Sequence, residues 1–142
     1  MDGMKEYAAA GGAAEVGRQD VKPLTPVEAR VVGALIEKEL TTPEYYPLTL
    51  NSLVAACNQK SNRSPAMELT TVDVVRALDA LRDRRFAWEH TSTATRTPKY
   101  RHGLAEALHL DKPQLALLCE LFVRGPQTVG ELKLHAARMH EF

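Results

Sequence analysis

Thr42-Pro-Glu-Tyr-Tyr-Pro-Leu-Thr-Leu-Asn-Ser-Leu-Val-Ala-Ala-Cys-Asn-Gln-Lys-Ser-Asn-Arg-Ser-Pro-Ala-Met-Glu-Leu-Thr-Thr71 decides the fold. It reads as a loop, a short apolar helix, a polar turn and the start of another helix, which is the centre of a helix-turn-helix. Leu50, Leu53, Val54 and Cys57 recur at helical spacing, predicting a helix over 49–58 with Asn58 as its left-handed terminator. Residues 59–69 form a polar turn containing Pro65, longer than the roughly three to four residues of a minimal helix-turn-helix. Thr70 or Thr71 caps the next helix, expected over about 71–85. Val72, Val75, Leu78 and Leu81 are expected to face inward, and Arg76, Asp79, Arg82, Asp83 and Arg84 outward.

Upstream, Thr25-Pro26-Val27-Glu28 is a helix start. Thr25 caps, Pro26 suits the first helical position and Glu28 reaches back as a capping box. That helix should end near Leu40, before Thr41-Thr42-Pro43, with Glu37, Lys38 and Glu39 facing water. Downstream, Phe86-Ala-Trp-Glu-His90 alternates as a strand, 91–97 is a small-polar loop, and Pro98-Lys-Tyr-Arg-His102 is the returning strand. The fold class predicted is mainly α with a small β-hairpin wing: a winged helix-turn-helix over 23–103.

Residues 103–110 bridge to a second unit over 104–142. Asp111 caps a helix with Leu115, Leu118, Cys119 and Phe122, which Gly125-Pro126 stops. Thr128-Val-Gly-Glu131 is another capping box, opening a helix with Leu132, Leu134 and Met139. This helix-loop-helix echoes 26–58 and reads as the first helices of a second winged-helix unit. Leu132, Leu134 and Phe142 are therefore expected to be exposed. Residues 1–22, rich in Ala and Gly, are expected to be a mobile tail.

The 18 basic and 18 acidic side chains cancel over 142 residues, so no whole-molecule field steers the chain to nucleic acid. The distribution is uneven: residues 58–102 hold nine Lys/Arg against five Asp/Glu. Cys57 and Cys119 sit in apolar helical patterns, predicting buried free thiols and a reducing cytoplasm. There is no run of ~18 apolar residues to span a membrane, and the N-terminal residues lack the apolar core of a signal peptide.

Residues 24–60, with Glu37-Lys38, Thr41-Thr42-Pro43, Tyr46-Pro47 and Ala56-Cys57-Asn58-Gln59-Lys60, closely resemble the YceH-like bacterial family. The resemblance continues through Asn62-Arg63-Ser64-Pro65, Lys99-Tyr100-Arg101-His102 and Arg124-Gly-Pro-Gln-Thr-Val-Gly-Glu-Leu132, covering 24–142. It implies two winged helices in tandem and no firm functional assignment. Relative to that family the second domain is expected to be incomplete over 104–142.

The fold and local charge suggest a DNA-binding transcriptional regulator. The third helix would present Arg76, Arg82 and Arg84 to double-stranded DNA, the turn Lys60, Asn62 and Arg63, and the wing Arg96, Lys99 and Arg101. Asp73, Asp79 and Asp83 on the same helix argue against this. The polar cluster Asn58-Gln59-Lys60 with Asn62-Arg63 reads equally as phosphate contact or as amides tying the turn together. The alternative is a protein-interaction or dimerisation module, with a homodimer among the expected partners. Tyr45 and Tyr46 would anchor it, or would close the edge of the core. No enzyme is expected. Cys57 lacks a basic setting, His135 and His140 do not share a helix face, and His90 with His102 across the hairpin would lack a third metal ligand. No cofactor and no metal are therefore predicted.

Overall fold

The computed structural model describes residues 22–94 and 96–142; the expectation for the N-terminal tail lies outside them, apart from Lys22. Helix α1 (Pro26–Thr41) starts at the Thr25/Glu28 capping box, with Thr25 Oγ1 accepting from the Glu28 amide. A 3-10 turn (Pro43–Tyr45) leads to a two-residue strand β1 (Leu48–Thr49) and helix α2 (Leu50–Asn58), capped by Thr49. Helix α3 (Thr71–Asp83) starts at a Thr70/Asp73 capping box. Strands β2 (Ala87–His90) and β3 (Lys99–His102) form the hairpin. Then follow α4 (Leu104–Leu108), α5 (Lys112–Arg124) with an Asp111/Gln114 capping box, and α6 (Val129–Ala136) with a Thr128/Glu131 capping box.

The sheet is antiparallel in the order β1-β3-β2. Tyr100 pairs with Glu89 on one side and Leu48 on the other. The molecule is thus mainly helical with a small three-stranded sheet, compatible with a winged-helix-like fold. Sequence reading missed β1, because two residues have no period to detect, and treated α4 as a connector.

α1 is the centre of the core. Every residue from Arg30 to Glu37 is buried, so more than two turns are covered on all sides. A helix enclosed all round reads as apolar throughout rather than as a stripe, and Val31-Val32-Gly33-Ala34-Leu35-Ile36 fits that description. α5 packs on α1 more extensively than any other element does. Leu115, Ala116 and Cys119 share one core cluster with Leu35, Leu53, Leu78 and Leu81, so the line drawn at Gly103 does not separate two cores.

Two inward-facing expectations on α3 are corrected. Val72 is 57% and Val75 37% exposed, whereas Val74, Ala77, Leu78 and Leu81 are buried. A spacing of three falls short of the 3.6-residue turn, so the run from 72 to 81 precesses halfway round the helix and only its last two members stay inside. Glu37 is also corrected: it is 1% exposed, not solvated.

Glu37 is the hub of a buried ion network. Arg63 Nη1 and Nη2 donate to its two carboxylate oxygens at 2.9 and 2.7 Å. Arg138, just beyond α6, donates to Glu37 and also to Glu120 on α5. Arg124 Nε lies 2.8 Å from Glu120 Oε1, though not aligned for a hydrogen bond, and its Nη2 donates to Asn62 Oδ1. Arg63 also donates to the Ala56 carbonyl at the end of α2. Nearby, Arg30 spans the Cys57 and Pro65 carbonyls. One network thus joins α1, α2, the 59–69 turn, α5 and the segment after α6. Breaking one member of a buried pair costs about 3–5 kcal/mol, because the partner charge stays buried.

Two predictions follow from this packing. A Cβ at Gly33 would lie 2.9 Å from Val123 Cγ1 and 3.0 Å from Phe122 Cβ. Glycine to alanine inside a helix normally stabilises by about 1 kcal/mol. Against α5, overpacking of about 1–3 kcal/mol should win. Urea denaturation of Gly33→Ala should therefore show a net loss; a gain would mean that α5 does not pack there. The second concerns acid. Burial pushes the Glu37 carboxyl up, but hydrogen bonds and charge from Arg63 and Arg138 outweigh it and hold the group down at about 2. A carboxyl depressed on folding contributes stability above its unfolded value, lost as pH falls toward its folded value. Stability should drop by about 3 kcal/mol between roughly pH 4.5 and 2 on this account, and Glu37→Gln should flatten that limb in a pH series of thermal melts.

Candidate nucleic-acid interface

The residues singled out for nucleic acid fall into three groups. The first is consumed by the fold. Arg63, expected at the surface of the turn, is 8% exposed and bound to Glu37 and Ala56. That expectation is corrected: a guanidinium holding a buried carboxylate is not offered to a phosphate. Asn62 has φ 58° and accepts from Arg124. The left-handed residue is therefore Asn62, not Asn58. Asn58 stays in α2 and clamps the turn, its Nδ2 donating to the Leu69 carbonyl at 2.9 Å and its Oδ1 accepting from the Leu69 amide at 2.7 Å. Gln59 accepts from Lys38 Nζ and donates to the Ser61 carbonyl. The polar cluster is thus mostly turn architecture, with Lys60 left exposed.

The second group is exposed or half-buried, and engaged. Arg82 lies 3.2 Å from Glu89 on β2 and 3.9 Å from Asp79. Arg101 is 3.9 Å from Glu106 and stacks near the Trp88 ring at 5.9 Å. Arg84 sits 4.7 Å over the Phe86 ring. The third group, Lys60, Arg76, Arg96 and Lys99, forms no ion pair within 4 Å among the described residues.

α3 presents these charges in a definite order. Positions 72, 79 and 83 share one stripe, seven and eleven residues apart, and it lies opposite the buried Val74, Ala77, Leu78 and Leu81. Val72, Asp79 and Asp83 are all exposed and form the midline. Arg76 flanks it on the side of α1, where it borders a cleft with Thr25, Val27 and Glu28. Arg82 flanks it toward β2, bordering a cleft with Ala87, Trp88 and Glu89. Beyond β2, the wing tip is polar, with Arg96 exposed.

The tyrosines diverge. Tyr45 is 74% exposed. Tyr46 is structural: its phenol oxygen accepts from the His102 backbone N–H at 2.7 Å, and burial pushes its phenol up in pKa. It does not stand out as an anchor. His102 and His90 do not meet either, because His102 pairs with Ala87 and His90 with Lys99. His102 Nδ1 accepts from the Leu104 amide, which leaves Nε2 to donate to Glu39 at 2.7 Å. This pins β3 and α4 to α1.

Both thiols are buried and free. Burial pushes the Cys57 thiol up to about 12, despite Arg63 and Arg30 nearby. Burial likewise raises Cys119, whose Sγ donates to the Gly33 carbonyl at 3.3 Å. Thiols raised this way are poor nucleophiles. Among the described residues no cluster of three or more His, Cys, Asp or Glu side chains forms a metal site, and no helix is long and apolar enough to cross a membrane.

Sequence reading missed Glu120, Arg124 and Arg138 as partners, and Glu37 as their hub. The signal available was the six-residue apolar run before Glu37, which places the next residue against packed neighbours rather than water.

A family model described as "Protein of unknown function, DUF480" matches residues 24–142. The chain is 60% identical over 119 residues to a UPF0502 protein of Geotalea daltonii and to one of Geobacter metallireducens, covering 84% of this chain and 54% of each relative. It is 49% identical over 126 residues to a UPF0502 protein of Opitutus terrae, covering 89% of this chain and 55% of the relative. The chain therefore spans about half the length of the curated relatives it matches. With the match running from the start of α1 to Phe142, the chain belongs to the DUF480 family of proteins of unknown function.

Proposed function

We propose that the chain is a winged helix that binds double-stranded DNA, with α3 in the major groove and the β2–β3 wing along the backbone. The observation that carries this reading is the outer face of α3, solvent-facing along its length with an arginine on each flank. On the flanks, Arg76 and Arg82 would meet phosphates of the two groove walls. On the midline, Val72 would meet a thymine methyl, and Asp79 or Asp83 would accept from a cytosine amino group. The element order α1-β1-α2-α3-β2-β3 supports the assignment, as does the resemblance to YceH-like proteins. On this reading α5 and α6 begin a second unit of the same kind, since the Asp111/Gln114 capping box opens α5 as the Thr25/Glu28 box opens α1. A transcriptional regulator in a reducing cytoplasm fits the two free thiols.

A second reading, a protein-interaction or dimerisation module, is favoured by Tyr45 and by α6, where Val129 is 86% and Leu134 72% exposed. Phe142 is 45% exposed, while Leu132 is half-buried.

The DNA reading makes a quantitative prediction. With Arg76 and Arg82 on the groove walls and Lys60, Arg96 and Lys99 beside them as phosphate contacts, the slope of log affinity against log salt should be about −4 to −5 on a mixed-sequence duplex. Arg76→Ala should make it shallower by about 1. Fluorescence anisotropy showing no binding at about 50 mM salt, where phosphate contacts are strong, would remove this reading. A concentration-dependent dimer in sedimentation under the same conditions would then favour the second.

A further inference from the structure

The largest apolar groove described lies away from the outer face of α3. It has a volume of about 620 Å³ and forms where α1, the α3–β2 junction, α4 and α5 meet. Leu24, Leu118 and Phe122 line it and pack against the core cluster, while Leu104 is fully buried in that cluster and Leu108 is 48% exposed at the edge. Its volume falls in the range of about 300–1,000 Å³ typical of small-molecule sites.

Among the described residues one charged side chain lines this groove, and it is Arg84. Its guanidinium lies over the Phe86 ring, which is also part of the lining, and it forms no ion pair with any described carboxylate. Glu106 is the nearby exception to consider. It borders the adjoining cleft that shares Arg84 and Phe86, but its ion-pair partner is Arg101. A concave apolar surface with one cation that has a ring contact but no carboxylate partner, presented as a flat fork of donors, matches a ligand with an apolar body and a single carboxylate head.

We infer that this groove is a binding site for a small amphipathic monocarboxylate, its chain against Leu104, Leu118 and Phe122 and its carboxylate on Arg84. The site touches the joint between α3 and the wing. The amides of Arg84 and Phe86 both donate to the Leu81 carbonyl at the end of α3, and the Gly103 amide donates to the Phe86 carbonyl at the base of the hairpin. The inference does not rest on the DNA reading.

The test uses the full chain with octanoate and, as its uncharged counterpart, 1-octanol. Calorimetry should show octanoate binding about tenfold tighter, the step that ~1.4 kcal/mol of carboxylate recognition gives. Leucine methyl NMR should show shifts confined to Leu104, Leu108, Leu118 and their neighbours. Arg84→Gln should abolish the preference while leaving octanol affinity unchanged. Leu108→Glu, at a half-exposed edge where folding should survive, should weaken both. Equal affinities for the two probes in the unsubstituted chain would overturn the site, as would an absence of methyl shifts, shifts elsewhere, or an unchanged preference in Arg84→Gln.

Discussion

The carboxylate of Glu37, held by Arg63 and Arg138 inside the protein, is the constraint on which the rest of this structure depends. Its partners come from segments far apart in sequence, 26 and 101 residues away. A buried charge has few acceptable arrangements, because each polar atom must find a partner or carry a desolvation cost. Placing one at the end of the buried stretch of α1 therefore fixes where the 59–69 turn and the segment after α6 lie. Glu120 adds a second carboxylate on α5 and ties Arg138 and Arg124 to the same place. Apolar packing brings α5 against α1. The ion network fixes how the pieces meet.

That choice shapes the surface as well. The positive excess of residues 58–102 looks in sequence like a footprint for a polyanion. Folding removes Arg63 from it, pairs Arg82 and Arg101 with acids, and sets Arg84 over a ring in an apolar groove. What remains on and around α3 is a sparse set of cations beside a midline of valine and aspartate. A contact made by such a face would draw little on bulk electrostatics and more on shape and specific acceptors.

Much of the architecture was readable because it is local. The capping boxes at Thr25/Glu28 and Thr128/Glu131 need residues three apart and nothing from the rest of the chain. The hairpin was legible from alternation, and the first helix was placed to within one residue at its end. What failed was non-local. Glu37 sits in a run of three charges that looks solvated, and only the approach of Arg63 and Arg138 reverses that. Arg63 looks like a surface cation until Glu37 is in place. Strand β1 exists because β3 offers it a partner. The site suffered most, since whether a cation is free depends on neighbours that sequence spacing does not report.

A double-mutant cycle at Glu37 and Arg63, read by urea denaturation at neutral pH, tests the central claim most directly. Glu37→Leu should cost about 3 kcal/mol or more by leaving Arg63 buried without a carboxylate, and Arg63→Met a comparable amount by leaving buried Glu37 with Arg138 and Lys38 alone. The double substitution should cost clearly less than the sum, with a coupling of about 2 kcal/mol or more. Single losses below about 1 kcal/mol that simply add, as exposed pairs give, would contradict the account.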